Sequence, residues 1–501
     1  MAVAQDVPGG GIHGARAALA AGKSALVWRR QIADTDTPIS AALKLFEPDR
    51  GDFLLESVEG GVVRGRYSLI GLAPDLVFRA QGEKAEINRH WATDRDAFVA
   101  EPVGALDALR ALVAECRADL DPALPAALAC LVGYFGYETV GLVERLPRAP
   151  QSELMLPDML FVRPTTILVF DNLSDELFCI APLWADGTDP ERAIEDAGER
   201  IDSALRTLGG AIPAAERSVE LPELALTPVM PDGQYREMVL RAKDYIAAGD
   251  IFQVVPSQRF SAPFARDSFA FYRSLRRTNP SPFLFHMNFG DFQLAGSSPE
   301  ILVRLRDGEL TIRPLAGTRP RGKTPEEDQA LEAELLADPK ELAEHLMLVD
   351  LGRNDVGRVA EPASVKVTKS FFVERYSHVM HLVSNVTGKA RPDLHPVDIL
   401  LAALPAGTLS GAPKVRAMEI IDELETVKRG VGYAGAAGYI SSGGEIDACI
   451  VLRTALFKDG VMHVQAGAGV VADSDPKAEY EETLHKSRAL KAAAEEAWRF
   501  G

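Results

Sequence analysis

The sequence predicts a large α+β fold, and three observations support this. The chain has 501 residues, of which 47% are hydrophobic and 25% charged, so it can bury a large core. Strand-like and helix-like runs are mixed along the chain, and they lack the regular βαβ alternation of a parallel sheet. At about 150 residues per domain, the length predicts two to four domains.

The clearest predicted domain boundary lies between Thr207 and Gly233. This stretch carries four prolines and no sustained hydrophobic periodicity. We therefore predict an N-terminal domain over 1–206, a linker over 207–232 and a C-terminal domain over 233–501.

Helices and strands on both sides of this boundary are predicted from periodicity. Before it, Leu106–Glu115 has helical spacing, and Thr165–Phe170 and Glu176–Leu183 are strand-like. After it, apolar residues recur at helical spacing over Met238–Ile246, and Gly249 ends that helix. Further strands are predicted in the segments IFQVV, FQLAG, EILVRL, ELTIRPL, YAGAAGYI and VMHVQAG.

Charge and hydropathy exclude some partners. The net charge of −18 argues against nucleic acid and anionic membranes. The longest uncharged stretch, Pro122–Tyr137, has 16 residues, whereas a membrane span needs about 20. Since Pro125, Gly133 and Gly136 interrupt this stretch, we predict buried strand and turn there.

Two features favour a cytoplasmic location. The cysteines are scattered without paired spacing, which favours reduced thiols over a disulfide framework or a zinc site. Residues 1–14 lack the basic start and apolar core of a targeting sequence, so we predict a flexible lead-in.

Two acidic clusters far apart in the chain are the most informative feature. The segment KELAEHLMLVDLGRND contains Glu341 and Glu344, and the segment EYEETLHK contains Glu479 and Glu482. If both segments are helical, each pair lies on one helix face. Two such faces brought together would form an all-oxygen site for a magnesium-like cation. Either pair alone could instead be a solvated face, but the apolar run HLMLVDL indicates that the first helix is buried.

Other motifs fail on their context. The run GAGVVA from Gly467 matches a dinucleotide-binding fingerprint, but Asp473 then stands where a pyrophosphate would lie. GTLSGAP from Gly407 has the wrong spacing for a nucleophile elbow. Glu482 and His485 form one Glu-x-x-His motif, which is half of a di-iron site. No cysteine lies in a nucleophile signature, so we do not expect this chain to hydrolyse glutamine.

Ordered motifs over nearly the whole chain carry a family resemblance. They are LLES, GRYSLIG, GYFGYE, IFQVVPSQRF, NPSPFLF, AGSSPE, PLAGTRPRG, KELAEHLMLVDLGRND, RYSHVMHLVS, LPAGTLSGAPK, CIVLRTA, QAGAGVVADSDP and EYEETLHK. On these motifs the chain resembles the chorismate-utilising enzymes, and within them the anthranilate synthase component I group. The resemblance implies a large layered β-sandwich with helices, the chorismate-binding fold. It also implies conversion of chorismate and ammonia to anthranilate and pyruvate, the first committed step of tryptophan biosynthesis.

The resemblance further implies a metal site and a substrate site. Glu344 and Glu482 would hold Mg²⁺, with Glu341 and Glu479 supporting it through water. Chorismate would be bound by Gly317, Thr318, Thr408, Tyr433, Arg453, Gly467, Ala468, Gly469, Lys486 and Gln253. Arginine can grip a carboxylate bidentately, and glycines let backbone N–H groups approach an anion. From the residues alone, Arg453 could equally be a surface charge, and the glycines could be turn residues.

Three catalytic residues are implied as well, namely Glu300, His381 and Thr318. Ammonia adds to the ring carbon beside the ring carboxylate, and a neutral Glu300 would protonate the departing ring hydroxyl. Burial or neighbouring carboxylates would have to raise its pKa. His381 would serve the second step, in which pyruvate is eliminated and the ring becomes aromatic. From sequence alone, this histidine in an apolar run could instead be a hydrogen-bonded core residue.

Two positions distinguish this group from its relatives. Isochorismate- and salicylate-forming relatives place a lysine base where this chain has Gln253. Aminodeoxychorismate synthases commonly have a lysine, suited to covalent attack, where this chain has Ala316. The lysine base of the first group would activate water, so its absence favours ammonia as the nucleophile. The absence of both lysines favours the anthranilate-forming reaction. The alternatives are those two activities and a catalytically inactive tryptophan-sensing subunit, against which the intact Glu344 and Glu482 argue.

A regulatory site and a partner subunit are also implied. Tryptophan would inhibit by binding Glu56, Ser57, Pro282, Phe283, Leu284, Ala437, Tyr439 and Cys449. Leu284 departs from the commoner methionine, which could shift affinity. LLES could instead be a strand end, and NPSP a turn. Ammonia would come from a glutamine amidotransferase small subunit, in a heterotetramer of two large and two small subunits.

Overall fold

The structure is a computed structural model that describes residues 11–59, 63–125, 128, 130–146, 153–214, 223–376 and 379–500. Parts of three predictions lie outside the described residues: the lead-in before residue 11, residues 126, 127 and 129 of the uncharged stretch, and residues 215–222 of the linker. Within the described part of the lead-in the prediction is wrong. A helix begins at Ile12, because Ala15 one turn later packs into the core.

Strands make up much of the described chain. They are β1 Ala25–Ile32, β2 Phe53–Glu56, β3 Val58–Glu59, β4 Val63–Arg64, β5 Tyr67–Gln81, β6 Lys84–Asn88, β7 Phe98–Ala100, β8 Leu131–Phe135, β9 Met159–Asp171, β10 Glu176–Leu183, β11 Thr227–Pro228, β12 Gln253–Val254, β13 Ser257–Pro263, β14 Phe283–Asn288, β15 Phe292–Ser298, β16 Ile301–Arg306, β17 Glu309–Ile312, β18 Leu315–Pro320, β19 Lys366–Arg375, β20 Val379–Lys389, β21 Gly411–Ala412, β22 Ala436–Ile440, β23 Ile446–Ile450, β24 Thr454–Lys458 and β25 Val461–Gly467. The strands predicted from periodicity are confirmed, although IFQVV yields only the short β12.

Helices are interspersed with these strands. They are α1 Ile12–Ala20, α2 Pro38–Leu45, α3 Ala105–Glu115, α4 Pro190–Leu208, α5 Asp232–Ala247, α6 Ser268–Thr278, α7 Pro325–Ala337, α8 Pro339–Val359, α9 Pro396–Ala403, α10 Lys414–Leu424 and α11 Pro476–Glu496, with short 3₁₀ helices at Tyr137–Leu142, Gly407–Leu409 and Ala497–Phe500. The helices predicted at α3 and α5 are confirmed. Beyond α5, Gly249 adopts a φ of 83°, a conformation that favours glycine and ends the helix.

Twenty-one of the strands in the described chain form one antiparallel sheet. One run of neighbours is β1, β10, β9, β5, β2, β14, β15, β24, β25, β13 and β11. The other is β7, β6, β5, β9, β8, β22, β23, β16, β17 and β20, with β18 and β19 also beside β20. The long strands β5 and β9 belong to both runs.

The two runs face each other as layers of a sandwich. Tyr134 of β8 packs its ring edge-on against Phe292 of β15, with centroids 6.1 Å apart. Phe53 of β2, Leu294 of β15 and Val132 of β8 belong to one buried apolar cluster. Such interdigitation of inward-facing side chains is what joins two sheets. The predicted α+β fold with a large layered β-sandwich is therefore confirmed.

The two acidic segments are helical, and each helix begins at an Asp-Pro pair. Asp338 accepts a hydrogen bond from Lys340 N at 3.0 Å at the start of α8. Asp475 accepts one from Ala478 N at 2.9 Å at the start of α11. Aspartate caps exposed helix N–H groups, and proline suits the first helical position. Helix α8 lies against β18 and β20, and α11 lies against β25.

Strands from either side of the predicted linker pair directly. Leu55 of β2 lies opposite Phe285 of β14, and Tyr134 of β8 lies opposite Ala437 of β22. The division into 1–206, 207–232 and 233–501 stays a prediction. In the part of the chain that the structure describes, no helix is long and apolar enough to cross a membrane. The four cysteines are buried and unpaired.

Candidate active site

The four predicted metal carboxylates lie near the starts of two helices that approach each other. Glu341 and Glu344 are on α8, and Glu479 and Glu482 are on α11. Burial raises the pKa of Glu344, and the charges of Glu341 and Glu482 add to this effect. Burial also raises the pKa of Glu479, again with a contribution from Glu482. The carboxylates of the two helices therefore repel one another across the gap.

Strand β18 touches this carboxylate cluster. Arg319 Nη1 donates a hydrogen bond to Glu341 Oε1 at 3.0 Å. Gly317 has a φ of +63°, and a Cβ added there would lie 3.1 Å from Glu341 Oε2. The positive φ favours glycine, and a Cβ here would crowd the carboxylate. The contacts of Gly317 and Arg319 therefore fix the backbone on both sides of Thr318.

The donor set fits a magnesium ion. Among the described residues, no group of three or more His, Cys, Asp or Glu side chains is arranged to hold a metal by itself. Mg²⁺ requires less, because one or two carboxylates with waters and substrate oxygens complete its shell. A cation would also relieve the repulsion from Glu341 and Glu482 that helps to raise the pKa of Glu344.

The end of β25 forms a floor of backbone beside the carboxylates. Gly467 ends the strand, and the buried Ala468 and the partly exposed Gly469 follow. A Cβ at Gly467 would lie 2.7 Å from Tyr433 Oη, and one at Gly469 would lie 2.6 Å from Gln253 Nε2. Glycine at both positions therefore leaves room for Tyr433 and Gln253 to approach this floor closely.

Lys486 connects this floor to the carboxylate cluster. Its Nζ atom donates to the Gly467 carbonyl oxygen at 2.8 Å and pairs with Glu482 at 2.7 Å. Glu482 and Lys486 are four residues apart on α11, a spacing that brings opposite charges together on one helix face. The ion pair is half-exposed and can rearrange when a ligand arrives.

Glu300 lies between β15 and β16 and is buried. Thr408 Oγ1 donates a hydrogen bond to Glu300 Oε1 at 3.0 Å. Burial raises the pKa of Glu300 to about 8, although this hydrogen bond and the charge of Arg453 oppose the shift. The carboxyl group is therefore mostly protonated at neutral pH, as general acid catalysis requires.

Arg453 is close enough to Glu300 and His381 for its charge to act on both. Its charge lowers the pKa of both groups, and burial lowers the pKa of the arginine itself. Its backbone has a φ of 47°, a left-handed conformation that is uncommon outside glycine and costs free energy. Arg453 is therefore a partly buried cation within the site, which excludes the alternative of a free surface charge.

His381 is held by the neighbouring strand. In the register of β18 and β20 it lies opposite Thr318, and its Nδ1 is 3.0 Å from Thr318 Oγ1 and 3.2 Å from the Gly317 carbonyl oxygen. Because a carbonyl only accepts hydrogen bonds, Nδ1 carries the proton and Nε2 has the lone pair. Burial, with the charge of Arg453, lowers the pKa of His381 to about 4. The imidazole is therefore neutral at physiological pH.

A second cavity, of about 410 Å³, is lined by none of these residues. Its walls include seven of the eight residues predicted to bind tryptophan: Glu56, Ser57, Phe283, Leu284, Ala437, Tyr439 and Cys449. Pro282 is described but is not among the lining residues. Ser57 has room because position 65 is glycine, where a Cβ would lie 1.6 Å from Ser57 Oγ.

Charged side chains of this cavity are already paired in part. Glu56 accepts hydrogen bonds from Tyr272 Oη at 2.6 Å and from Arg276 Nε at 2.7 Å, both on α6. Arg304 pairs with Asp447 at 3.1 Å. The cavity thus presents both charge signs beside apolar walls, which suits a zwitterion with an apolar side chain.

Sequence reasoning missed several neighbours of these sites. Arg319 lay inside a quoted motif, but its contact with Glu341 depends on how α8 packs. Tyr376 stacks edge-on against His381, with ring centroids 5.6 Å apart. Arg304 and Asp447 line the second cavity from strands with ordinary alternation. None of these contacts leaves a local signal in the sequence.

The chain is similar in sequence and in fold to known proteins. The sequence model described as "chorismate binding enzyme" matches residues 53–492. This chain belongs to the chorismate binding enzyme family. Within that family it is 54% identical, over 482 residues, to anthranilate synthase component 1 of Cereibacter sphaeroides, covering 96% of each chain.

Two further anthranilate synthase proteins are similar to this chain over most of its length. Anthranilate synthase component 1 of Pseudomonas aeruginosa is 48% identical over 466 residues, covering 92% of this chain and 93% of the relative. The solved structure of anthranilate synthase component I from Streptococcus pneumoniae superposes with a TM-score of 0.77 at 38% identity. That match covers 92% of this chain and 99% of the other.

Proposed function

We propose that this chain is the large subunit of an anthranilate synthase, which converts chorismate and ammonia to anthranilate and pyruvate. The observation that carries the proposal is the buried Glu300, whose raised pKa of about 8 leaves it mostly protonated beside Arg453. The chain also lacks both lysines that mark related enzymes, since it has Gln253 and Ala316 at those positions. Gln253 is neutral and cannot act as the base that water would need. Among the described residues, its buried Oε1 has no hydrogen-bond partner, so it can accept a hydrogen bond from ammonia.

In the first step, ammonia attacks the ring carbon beside the ring carboxylate. The ring double bonds shift, and the C–O bond of the ring hydroxyl breaks. Glu300 transfers its proton to that oxygen, which leaves as water. Arg453 and the backbone floor at Gly467 and Gly469 hold the substrate carboxylates.

In the second step, a base removes the proton from the aminated ring carbon. The ring becomes aromatic as the bond to the enolpyruvyl oxygen breaks, and the released enol takes up a proton to become pyruvate. The neutral His381 has its free lone pair on Nε2, and Thr318 and Gly317 fix its orientation. This assigns proton abstraction to His381.

Mg²⁺ is the proposed cofactor. Glu344 and Glu482 would bind it, and Glu341 and Glu479 would support it through water. When bound, the cation neutralises the ring carboxylate of chorismate and fixes its position. The paired Lys486 lies one turn from Glu482 and offsets part of the remaining charge.

We propose further that a glutamine amidotransferase supplies the ammonia in the cytoplasm, in an assembly of two large and two small subunits. All four cysteines of this chain are buried, and burial raises the pKa of Cys179 and Cys449 to about 12. Such thiols are poor nucleophiles. The division into a regulatory domain over 1–206, a linker over 207–232 and a catalytic domain over 233–501 is part of the proposal.

The decisive experiment is product analysis with the purified chain, chorismate and Mg²⁺. With ammonium at high pH, anthranilate should form, because free NH₃ is the nucleophile. With glutamine alone, none should form. Chromatography distinguishes anthranilate from aminodeoxychorismate, isochorismate and salicylate. Tryptophan binding without turnover would instead indicate an inactive sensing subunit and would overturn the proposal.

A further inference from the structure

A buried arginine that is not itself part of the proposed active site contacts several of the chain segments that carry active-site residues. Arg429 lies beyond α10 and is 3% exposed. Its guanidinium donates to Glu425 Oε1 at 2.6 Å and to Glu425 Oε2 at 2.9 Å. It also donates to the carbonyl oxygens of Leu409 at 2.7 Å and Val255 at 2.6 Å. Four donor contacts from one rigid planar group fix these segments relative to one another.

The two residues whose carbonyl oxygens bind Arg429 lie within two positions of residues proposed to contact the substrate. Leu409 directly follows Thr408, which donates the hydrogen bond to Glu300. Val255 lies two residues after Gln253. Arg429 therefore ties the loop that carries the acid's partner to the strand that carries the ammonia-side amide.

Glu425 extends the connection to the backbone floor. Its Oε1 accepts hydrogen bonds from Ser257 N at 2.7 Å and Ser257 Oγ at 2.9 Å. Ser257 is paired with Gly467 across β13 and β25. The carboxylate of Glu425 thus sets the position of the strand end at which Gly467 lies.

The same guanidinium also contacts a proposed substrate side chain. The Arg429 Cζ atom is 5.4 Å from the ring centroid of Tyr433 and 4.7 Å from that of Tyr137. Cation–π contacts of this kind orient an aromatic ring. The buried Arg429–Glu425 pair therefore contacts or adjoins the segments of four proposed substrate-binding residues: Thr408, Gln253, Gly467 and Tyr433.

We infer that Arg429, acting with Glu425, is a positioning residue that keeps the chorismate-binding segments in register; the inference rests on the proposed function. A buried ion pair adds little net stability over an apolar pair of the same shape. Stability alone therefore does not account for it. A lysine at this position would keep the charge but would lack the fork that joins Glu425 to two carbonyls.

The test compares Arg429→Lys with Arg163→Lys in the full chain. Arg163 is a matched control, because it is also buried and forked, with Asp75 at 2.7 Å and Glu115 at 2.7 Å, in the N-terminal half. We expect Arg429→Lys to raise the KM for chorismate about tenfold, the effect of losing one or two charge-assisted hydrogen bonds. Both variants should lower the melting temperature by similar amounts, but Arg163→Lys should leave the KM for chorismate unchanged.

A purely structural role would give a different result. Partial unfolding lowers the active fraction, and so the apparent kcat, but leaves KM unchanged; that outcome for Arg429→Lys overturns the inference. If the wild-type chain makes no anthranilate with ammonium, the proposed function itself fails, so the two failures are distinguishable. If Arg429→Lys does not fold, Ser257→Ala decides, since a KM raised about threefold is expected from one lost hydrogen bond and an unchanged KM contradicts the inference.

Discussion

Thr408 Oγ1 donates a hydrogen bond to Glu300 Oε1 over 3.0 Å, inside a site where burial raises the pKa of Glu300 to about 8. The hydrogen bond favours the charged carboxylate and therefore opposes the effect of burial. The balance leaves the acid protonated at neutral pH but able to release its proton.

The first prediction concerns the pH dependence of amination. Glu300 acts as an acid only while protonated, so kcat/KM expressed per free NH₃ should fall as pH rises through about 8. Thr408→Val removes the hydrogen bond that stabilises the carboxylate, so its falling limb should move to higher pH. Glu300→Gln has no proton to donate and should lose about 10²–10⁴-fold in rate. A wild-type profile that stays flat to pH 10 would contradict the assignment.

The second prediction tests the same carboxyl group through stability. Because the folded pKa of Glu300 lies above its unfolded value of about 4.3, the wild-type chain should lose stability as pH rises from that value through about 8. Glu300→Gln removes this titration. In denaturant melts, the difference in unfolding free energy should therefore grow in favour of the variant as pH rises from about 4.3 to about 8, and level off above that. Parallel pH profiles would mean that the carboxyl group is not buried as described.

The third prediction concerns the second step. His381→Ala should slow pyruvate elimination more than amination, so an aminated ring that still carries its enolpyruvyl group should accumulate and be detected by mass spectrometry. Thr318→Val should give a weaker form of the same effect, because it removes one of the two oxygens beside Nδ1. The exposed His90→Ala is the control and should release anthranilate normally. Recovery of unreacted chorismate alone from His381→Ala would place this histidine earlier in the reaction.

The fourth prediction concerns the metal. Chelator should abolish turnover, and Mg²⁺ should raise the melting temperature of the wild-type chain by relieving repulsion among the carboxylates. Glu344→Gln and Glu482→Gln should lose most activity and most of this thermal shift. Glu481 directly precedes Glu482 on α11 and is exposed, so Glu481→Gln should keep both the activity and the Mg²⁺-induced thermal shift. An unchanged Mg²⁺ shift in both glutamine variants would show that the cation binds elsewhere.

The carboxylate faces were predictable because they rest on local rules. Spacing of three residues puts two glutamates on one helix face, and Asp-Pro pairs start both helices. The resemblance then supplied residues such as Tyr433 and Gln253, which the structure brings to adjacent glycines.

Contacts made between distant segments were not predictable. Arg429 joins residues up to 174 positions away, and Arg319 meets Glu341 only because α8 packs on β18. Arg319 lies in the motif PLAGTRPRG, but nothing local to either arginine indicates which residues it contacts. Pro282 shows the reverse case: it lies in a quoted motif, yet it does not line the second cavity among the residues described.

The last prediction concerns tryptophan. It should bind the cavity of about 410 Å³ and inhibit, since the cavity is lined by none of the four metal carboxylates and its walls come from both predicted domains. A ligand there can bias the arrangement of β2 against β14 through differential contacts.

Substitutions in this cavity should weaken inhibition and leave uninhibited activity largely intact. Ser57→Ala should cost about 1.5–3 kcal/mol, or tenfold or more in affinity, if its hydroxyl bonds a charged group of tryptophan. Ser57→Phe should fill the cavity and abolish binding. Pro282→Ser should have the smaller effect of a residue outside the lining. Ser174→Phe, at an exposed turn, is the control, and tryptophan should inhibit this variant as strongly as it inhibits the wild type. Calorimetry with millimolar tryptophan decides: no heat of binding and no loss of rate would mean that LLES is only a strand end.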